Sequence, residues 1–131
     1  MTILIVEDQL LMRNTLRKFL QPAFLEWAFI EAADGASAME ACAAYLPQVV
    51  LMDISLPDID GIALTKSIKD LLPNVAVIFV SYLNGKAHID RALAAGGCAY
   101  VVKDRLFTDL IPAIENAISA GSPPSGTEKR T

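Results

Sequence analysis

The chain has 131 residues, 53% hydrophobic and 20% charged, which fits one core-forming domain and excludes disorder over most of its length. With 11 basic and 15 acidic residues its net charge is −4, so there is no broad basic surface to track nucleic-acid phosphates or anionic lipid. Cys42 and Cys98 stand in apolar surroundings without CxxC or Cys/His metal spacing, which suits core packing in a reducing compartment and predicts a cytoplasmic protein.

The first apolar run, Ile3 to Val6, is cut off at once by Glu7 and Asp8, far too soon for a membrane span or a signal segment. Met12, Leu16, Phe19 and Leu20 then share one helical face that ends before Pro22. Ala28 to Ile30 reads as a second strand. A second helix carries Ala38, Ala41, Cys42 and Tyr45 between Asp34-Gly35 and Pro47. Val49 to Met52 is a third strand, followed by a helix through Ile62, Leu64, Ile68 and Leu72 up to Pro73. Val75 to Val80 is a fourth strand, and Ile89, Leu93 and Ala94 mark a fourth helix ending at Gly96-Gly97. Tyr100 to Val102 is the last strand. Leu110, Ile111, Ile114 and Ile118 define the last helix, with Thr108 as its expected N-cap and Pro112 early within it.

The strand-length runs are near-continuously apolar, as expected of strands buried on both faces of a parallel sheet. Five strands alternating with five helices predict an α/β, flavodoxin-like, doubly wound parallel sheet in the order 2-1-3-4-5. The folded domain is expected over residues 1–120. Residues 121–131 have no large apolar side chain and read as a tail or linker.

In such a sheet, sites form beyond the carboxyl ends of the strands. The polar residues that end the apolar runs are Glu7 and Asp8, Asp53, Ser81 and Lys103. Three carboxylates crowded together call for a cation, and an all-oxygen set with open water positions suits Mg2+. Asp8 and Asp53 would bind it directly, Glu7 through water, and the Ser55 backbone carbonyl would complete the protein ligands. A phosphoryl group held in line with Asp53 would then be attacked by that carboxylate, giving an aspartyl phosphate. Lys103 and the Ser81 hydroxyl would each pair with one of its oxygens.

These residues resemble the receiver domains of two-component response regulators, the CheY-like family, over about residues 2–120. The acidic pair after the first strand is similar to Glu7-Asp8, and the family's acceptor block is similar to the run from Asp53 through Pro57 to Asp60-Gly61. Ser81 matches the family's hydroxyl after the fourth strand, and Lys103 its lysine after the fifth. Tyr100, three residues before that lysine, corresponds to the aromatic that swings inward after phosphorylation. The resemblance implies a Mg2+-dependent switch rather than a turnover enzyme, one that catalyses only its own phosphorylation and dephosphorylation. A histidine kinase or phosphotransfer protein would supply the phosphoryl group. Ser81 and Tyr100 would relay the change to an output domain or protein, with control of transcription the expected output. Homodimers occur in the family, and direct contact with nucleic acid or membrane is not expected of this chain.

This sequence departs from the family pattern at two positions. Tyr82 is bulky where the family is usually small, and Asp104 follows Lys103 where proline is commonest. Lys103-Asp104 resembles the branch whose receivers precede a helix-turn-helix output domain. A haloacid dehalogenase-like phosphatase would need a second carboxylate where Ser55 stands, and a flavin carrier would find Glu7-Asp8 repelling its phosphate. A phosphorylation-independent interaction module is the remaining alternative, favoured only by Tyr82. Among the other residues, Arg13 and Arg17 read as a solvated helix face, Cys42 and Cys98 as core filler, and His88 as a surface residue without a role. Phe24 and Trp27 fit either packing or an exposed contact.

Overall fold

The computed structural model describes residues 1–121. Strands β1 (Thr2–Val6), β2 (Ala28–Ala32), β3 (Val49–Met52), β4 (Ala76–Ser81) and β5 (Gly97–Val102) alternate with helices α1 (Leu10–Leu20), α2 (Gly35–Tyr45), α3 (Gly61–Leu71), α4 (Lys86–Ala94) and α5 (Leu106–Gly121). All strand pairs are parallel, in the order β2-β1-β3-β4-β5, the doubly wound arrangement expected. The expected tail beyond Gly121 lies outside the described residues.

Successive side chains of a strand point to opposite faces, and each face here needs an apolar cover. Leu4 and Val6 of β1, with Val50, Met52, Val77 and Phe79, pack under α2, α3 and α4 through Ala38, Cys42, Leu64, Ile68 and Ala92. Ile3 and Ile5 face the other way with Leu51, Ile78 and Val80, against Leu16 and Leu20 of α1 and Leu110 and Ile114 of α5. Glu7, Asp53 and Ser81 therefore emerge together where β1, β3 and β4 end.

Several local expectations are corrected. Thr108 is not the N-cap of the last helix. A turn of 3₁₀ helix at Lys103–Arg105 runs straight into α5 at Leu106, so Thr108 lies in its first turn and Pro112 is interior. Cys98 is exposed rather than core filler, whereas Cys42 is buried. The β4–β5 register shifts there, with Val77 opposite Gly97 and Ile78 opposite Ala99, so Cys98 is the unpaired residue of an irregular edge strand. Arg13 and Arg17 are not a solvated face: both grip Glu31 of β2, at 3.1 and 2.5 Å. Phe24 is buried and meets Trp27 edge to face at 6.3 Å, which assigns the pair to packing. No helix among the described residues is long and apolar enough to cross a membrane.

Candidate phosphoacceptor site

The β1–α1 connection carries Glu7 and Asp8. Glu7 is 1% exposed and Asp8 lies open to solvent. One oxygen from each of Glu7, Asp8 and Asp53 lies within 4.8 Å of the others. Three such carboxylates form an all-oxygen donor set able to coordinate a hard divalent cation. The Glu7 side chain also accepts the Gln9 N–H at 3.0 Å, and the Arg13 guanidinium donates to the Glu7 carbonyl at 2.7 Å. The loop is thus held from both its side-chain and main-chain oxygens.

Asp53 follows β3 and is 6% exposed. Lys103, whose side chain is 5% exposed, donates to Glu7 Oε1 at 2.6 Å and to Asp53 Oδ2 at 3.1 Å. Buried carboxylates require such a partner, since an uncompensated charge in this setting is costly. Burial, together with the neighbouring Asp53 charge, raises the Glu7 pKa above the ordinary carboxylate value despite its hydrogen bonds to Lys103 and Gln9. Burial also works against the Lys103 ammonium, yet its bond to Glu7 and the Asp53 charge outweigh burial and hold its pKa above the usual lysine value.

The segment after Asp53 is a small closed loop. Ser55 N donates to Asp53 Oδ1 at 3.3 Å, Ser55 and Asp60 form an isolated antiparallel bridge, and Gly61 N donates to the Ile54 carbonyl at 2.8 Å. Asp60 then caps α3 by accepting the Ile62 N–H at 2.6 Å. Gly61 is dictated by space, because a Cβ there would lie 2.1 Å from the Asp53 carbonyl oxygen. Ser81, 2% exposed at the end of β4, accepts the Leu83 N–H at 3.2 Å, and the Tyr100 hydroxyl donates to the Leu83 carbonyl at 2.5 Å. Burial, with the charge of Asp53, raises the Tyr100 pKa. Tyr82 is exposed, with its ring centroid 5.1 Å from the Lys103 ammonium.

The structure brings Glu7, Asp8, Asp53 and Lys103 into one cluster, with Ser55 beside Asp53, and places Ser81 and Tyr100 on a common hydrogen-bond route through Leu83. Sequence reasoning missed two residues that support it. Arg13 reaches the Glu7 main chain, and its signal was the carboxylate of Glu31, set in an apolar strand and in need of a cation. Asp58 leaves the loop after Asp53 to bond the start of α2, accepting from Gly35 N at 2.8 Å and Ala36 N at 3.1 Å. The sequence carries no local sign of that contact.

A five-stranded parallel sheet with a carboxylate trio, a buried lysine and a buried hydroxyl at its carboxyl edge defines a receiver-type signalling domain. The family model for the response regulator receiver domain matches residues 3–115, and the chain belongs to that family. It is 36% identical over 119 residues to the transcriptional regulatory protein PdtaR of Mycobacterium tuberculosis, covering 89% of this chain and 56% of that protein. It is 33% identical over 118 residues to the chemotaxis protein CheY of Halobacterium salinarum, covering 90% of this chain and 97% of that protein. A two-component response regulator of the LuxR family from Aurantimonas sp. SI85-9A1 superposes with a TM-score of 0.85 at 28% identity, over 91% of this chain and 85% of that one. The chain thus spans little more than half of PdtaR and nearly all of CheY. Its receiver fold is that of a phospho-accepting signalling domain, its acidic cluster is able to coordinate a metal ion, and members of the family catalyse only their own phosphorylation and dephosphorylation.

Proposed function

We propose that Asp53 is the phosphoacceptor, and that residues 1–120 form a cytoplasmic receiver modified by a histidine kinase or phosphotransfer protein. The observation that carries this reading is Lys103 Nζ seated between Glu7 Oε1 and Asp53 Oδ2, beside the Asp8 carboxylate. Mg2+ would be held by Asp8, Asp53, the Ser55 carbonyl and, through water, Glu7, and when bound it supplies charge neutralisation at the phosphoryl oxygens. The Asp53 carboxylate attacks the donor phosphorus. A new O–P bond forms as the bond to the donor breaks, and the leaving group departs with its electron pair.

Lys103 and the Ser81 hydroxyl each take one phosphoryl oxygen. Ser81 moving toward that oxygen gives up its bond to Leu83 N, and Leu83 carries the carbonyl that now holds Tyr100. A modification at Asp53 thereby reaches β5 and α4, the side that would meet an output domain or a separate partner. PdtaR is named a transcriptional regulator and is longer than this chain, which supports transcription control through a following segment as the output. A second reading, binding without phosphorylation, is favoured by Tyr82, whose ring stands beside the ammonium that the phosphoryl group must reach.

Intact-protein mass spectrometry after incubation with acetyl phosphate separates the two. The receiver reading expects one phosphoryl adduct that needs Mg2+ and is absent from Asp53→Asn. No adduct on the native protein, from acetyl phosphate or from a phosphorylated histidine kinase, would leave the binding module as the function.

A further inference from the structure

We infer that Asp58 is a positioning residue for the acceptor site, seated on the N-terminus of α2, and that α2 thereby sets how tightly the site holds its divalent cation. The inference rests on the reading of Asp53, Asp8 and Ser55 as the cation's ligands. The loop from Ser55 to Asp60 is closed at its base by the Ser55–Asp60 bridge and the Gly61 N to Ile54 carbonyl bond. Its apex is fixed elsewhere. The Asp58 carboxylate spans the first two N–H groups of α2, accepting from Gly35 at 2.8 Å and Ala36 at 3.1 Å.

Helix starts leave four N–H groups without helical partners. In α2 the other two are met internally, Ser37 N by the Asp34 carboxylate at 2.8 Å and Asp34 N by Ser37 Oγ at 3.4 Å. Asp58 therefore completes a fully bonded helix start, where a carboxylate is also favoured by the helix dipole. The fit is close. A Cβ on Gly35 would stand 2.3 Å from Ile59 Cγ2 and 3.3 Å from both Asp58 oxygens. Leu56 and Ile59, on either side of Asp58, pack against the core cluster that also contains Ala38 and Cys42 of α2. Pinned at its apex and closed at its base, the loop keeps Ser55 in one place relative to Asp53.

Two charge-neutral changes on α2 probe this without touching a ligand. Gly35→Ala wedges the loop away from the helix, and Ala36→Pro deletes one of the two N–H donors at a first-turn position that tolerates proline. Asp58→Asn removes the charge but keeps one acceptor. Binding of Mn2+ followed by electron paramagnetic resonance, with thermal unfolding of each protein measured in parallel, reads cation affinity apart from stability.

The expected result is a Kd raised about 10-fold in Gly35→Ala and less in Ala36→Pro and Asp58→Asn, the size expected on losing an outer-shell partner. The phosphorylation rate at saturating Mg2+ should return to that of the native chain. Variants that melt earlier yet bind Mn2+ like the native chain would reduce Asp58 to a structural cap and overturn the inference alone. A native chain that binds no Mn2+ would overturn the site reading with it.

Discussion

Helices α2 and α4 cover the same face of the sheet but are held to it by different means. All four leading N–H groups of α2 are bonded, through Asp34, Ser37 and Asp58, and it buries Gly35, Ala38, Ala41 and Cys42. In α4, Gly85 offers no side-chain cap and only Ala92 is buried. Its ion pairs, Lys86 with Asp90 at 2.6 Å and Arg91 with Asp60 at 3.9 Å, are exposed and worth little. It packs on β5, an edge strand with one buried residue and a register shift. Opening free energy varies across a protein with such contacts. The expectation that follows for the proposed modification of Asp53 is a response on the α4–β5 side, with the α2 side keeping the loop after Asp53 in place.

On the side of the loop that α2 holds, the contrast breaks most visibly at Gly61, the first residue of α3, whose N–H closes the base of that loop. Replacing it with alanine drives a Cβ to 2.1 Å from the Asp53 carbonyl oxygen and 2.9 Å from Ile54 Cα, and urea unfolding should show a loss of about 3 kcal/mol. On the other side, Leu93→Ala, at a position 42% exposed, should change stability by less than about 0.5 kcal/mol. Equal losses at the two sites would remove the distinction.

The cysteines report the same difference in reactivity. Burial pushes the Cys42 thiol of α2 up to about 11, so it stays protonated and inaccessible at neutral pH. Burial raises the Cys98 thiol of β5 as well, so what separates the two is access, Cys98 being exposed. Iodoacetamide on the native protein should add one label, at Cys98, with the second appearing only on unfolding. A Cys42 label of comparable rate would show that α2 opens as readily as β5.

The smallest effect is pH-dependent. Hydrogen bonds from the Ser37 side chain and backbone hold the Asp34 carboxyl below its ordinary value of 3.8. A carboxyl depressed in the folded state stabilises above its unfolded pKa and loses that contribution as pH falls through the folded value. Asp34→Asn should therefore melt slightly below the native chain at neutral pH, with the gap closing below pH 3.8. A gap independent of pH would mean that the charge contributes nothing.

The apolar runs made the sheet legible because strands buried on both faces admit few polar residues. The same logic exposed Glu7, Asp8, Asp53, Ser81 and Lys103, each at the point where a run stops. What stayed hidden depends on contacts between distant elements. Asp58 meets α2 across 22 or 23 positions, and Arg13 meets Glu31 across 18. Helical spacing alone could not tell Arg13 and Arg17 from a solvated face. Thr108 looked like a cap because Leu106, already helical, follows a 3₁₀ turn that leaves no periodic signature. At the other end of the sheet, a cleft of about 770 Å3 beside Trp27, Pro73 and Ile118 is lined, among the described residues, by no ionisable side chain.

The most direct test of the account is the backbone amide spectrum of the 15N-labelled protein before and after Mg2+ and acetyl phosphate, with Asp53→Asn as control. Beyond the site itself, the account predicts shifts concentrated from Leu83 through α4 to Val102, with Ser37 to Tyr45 of α2 nearly still. Shifts as large along α2 as along α4, or the same shifts in Asp53→Asn, would contradict it.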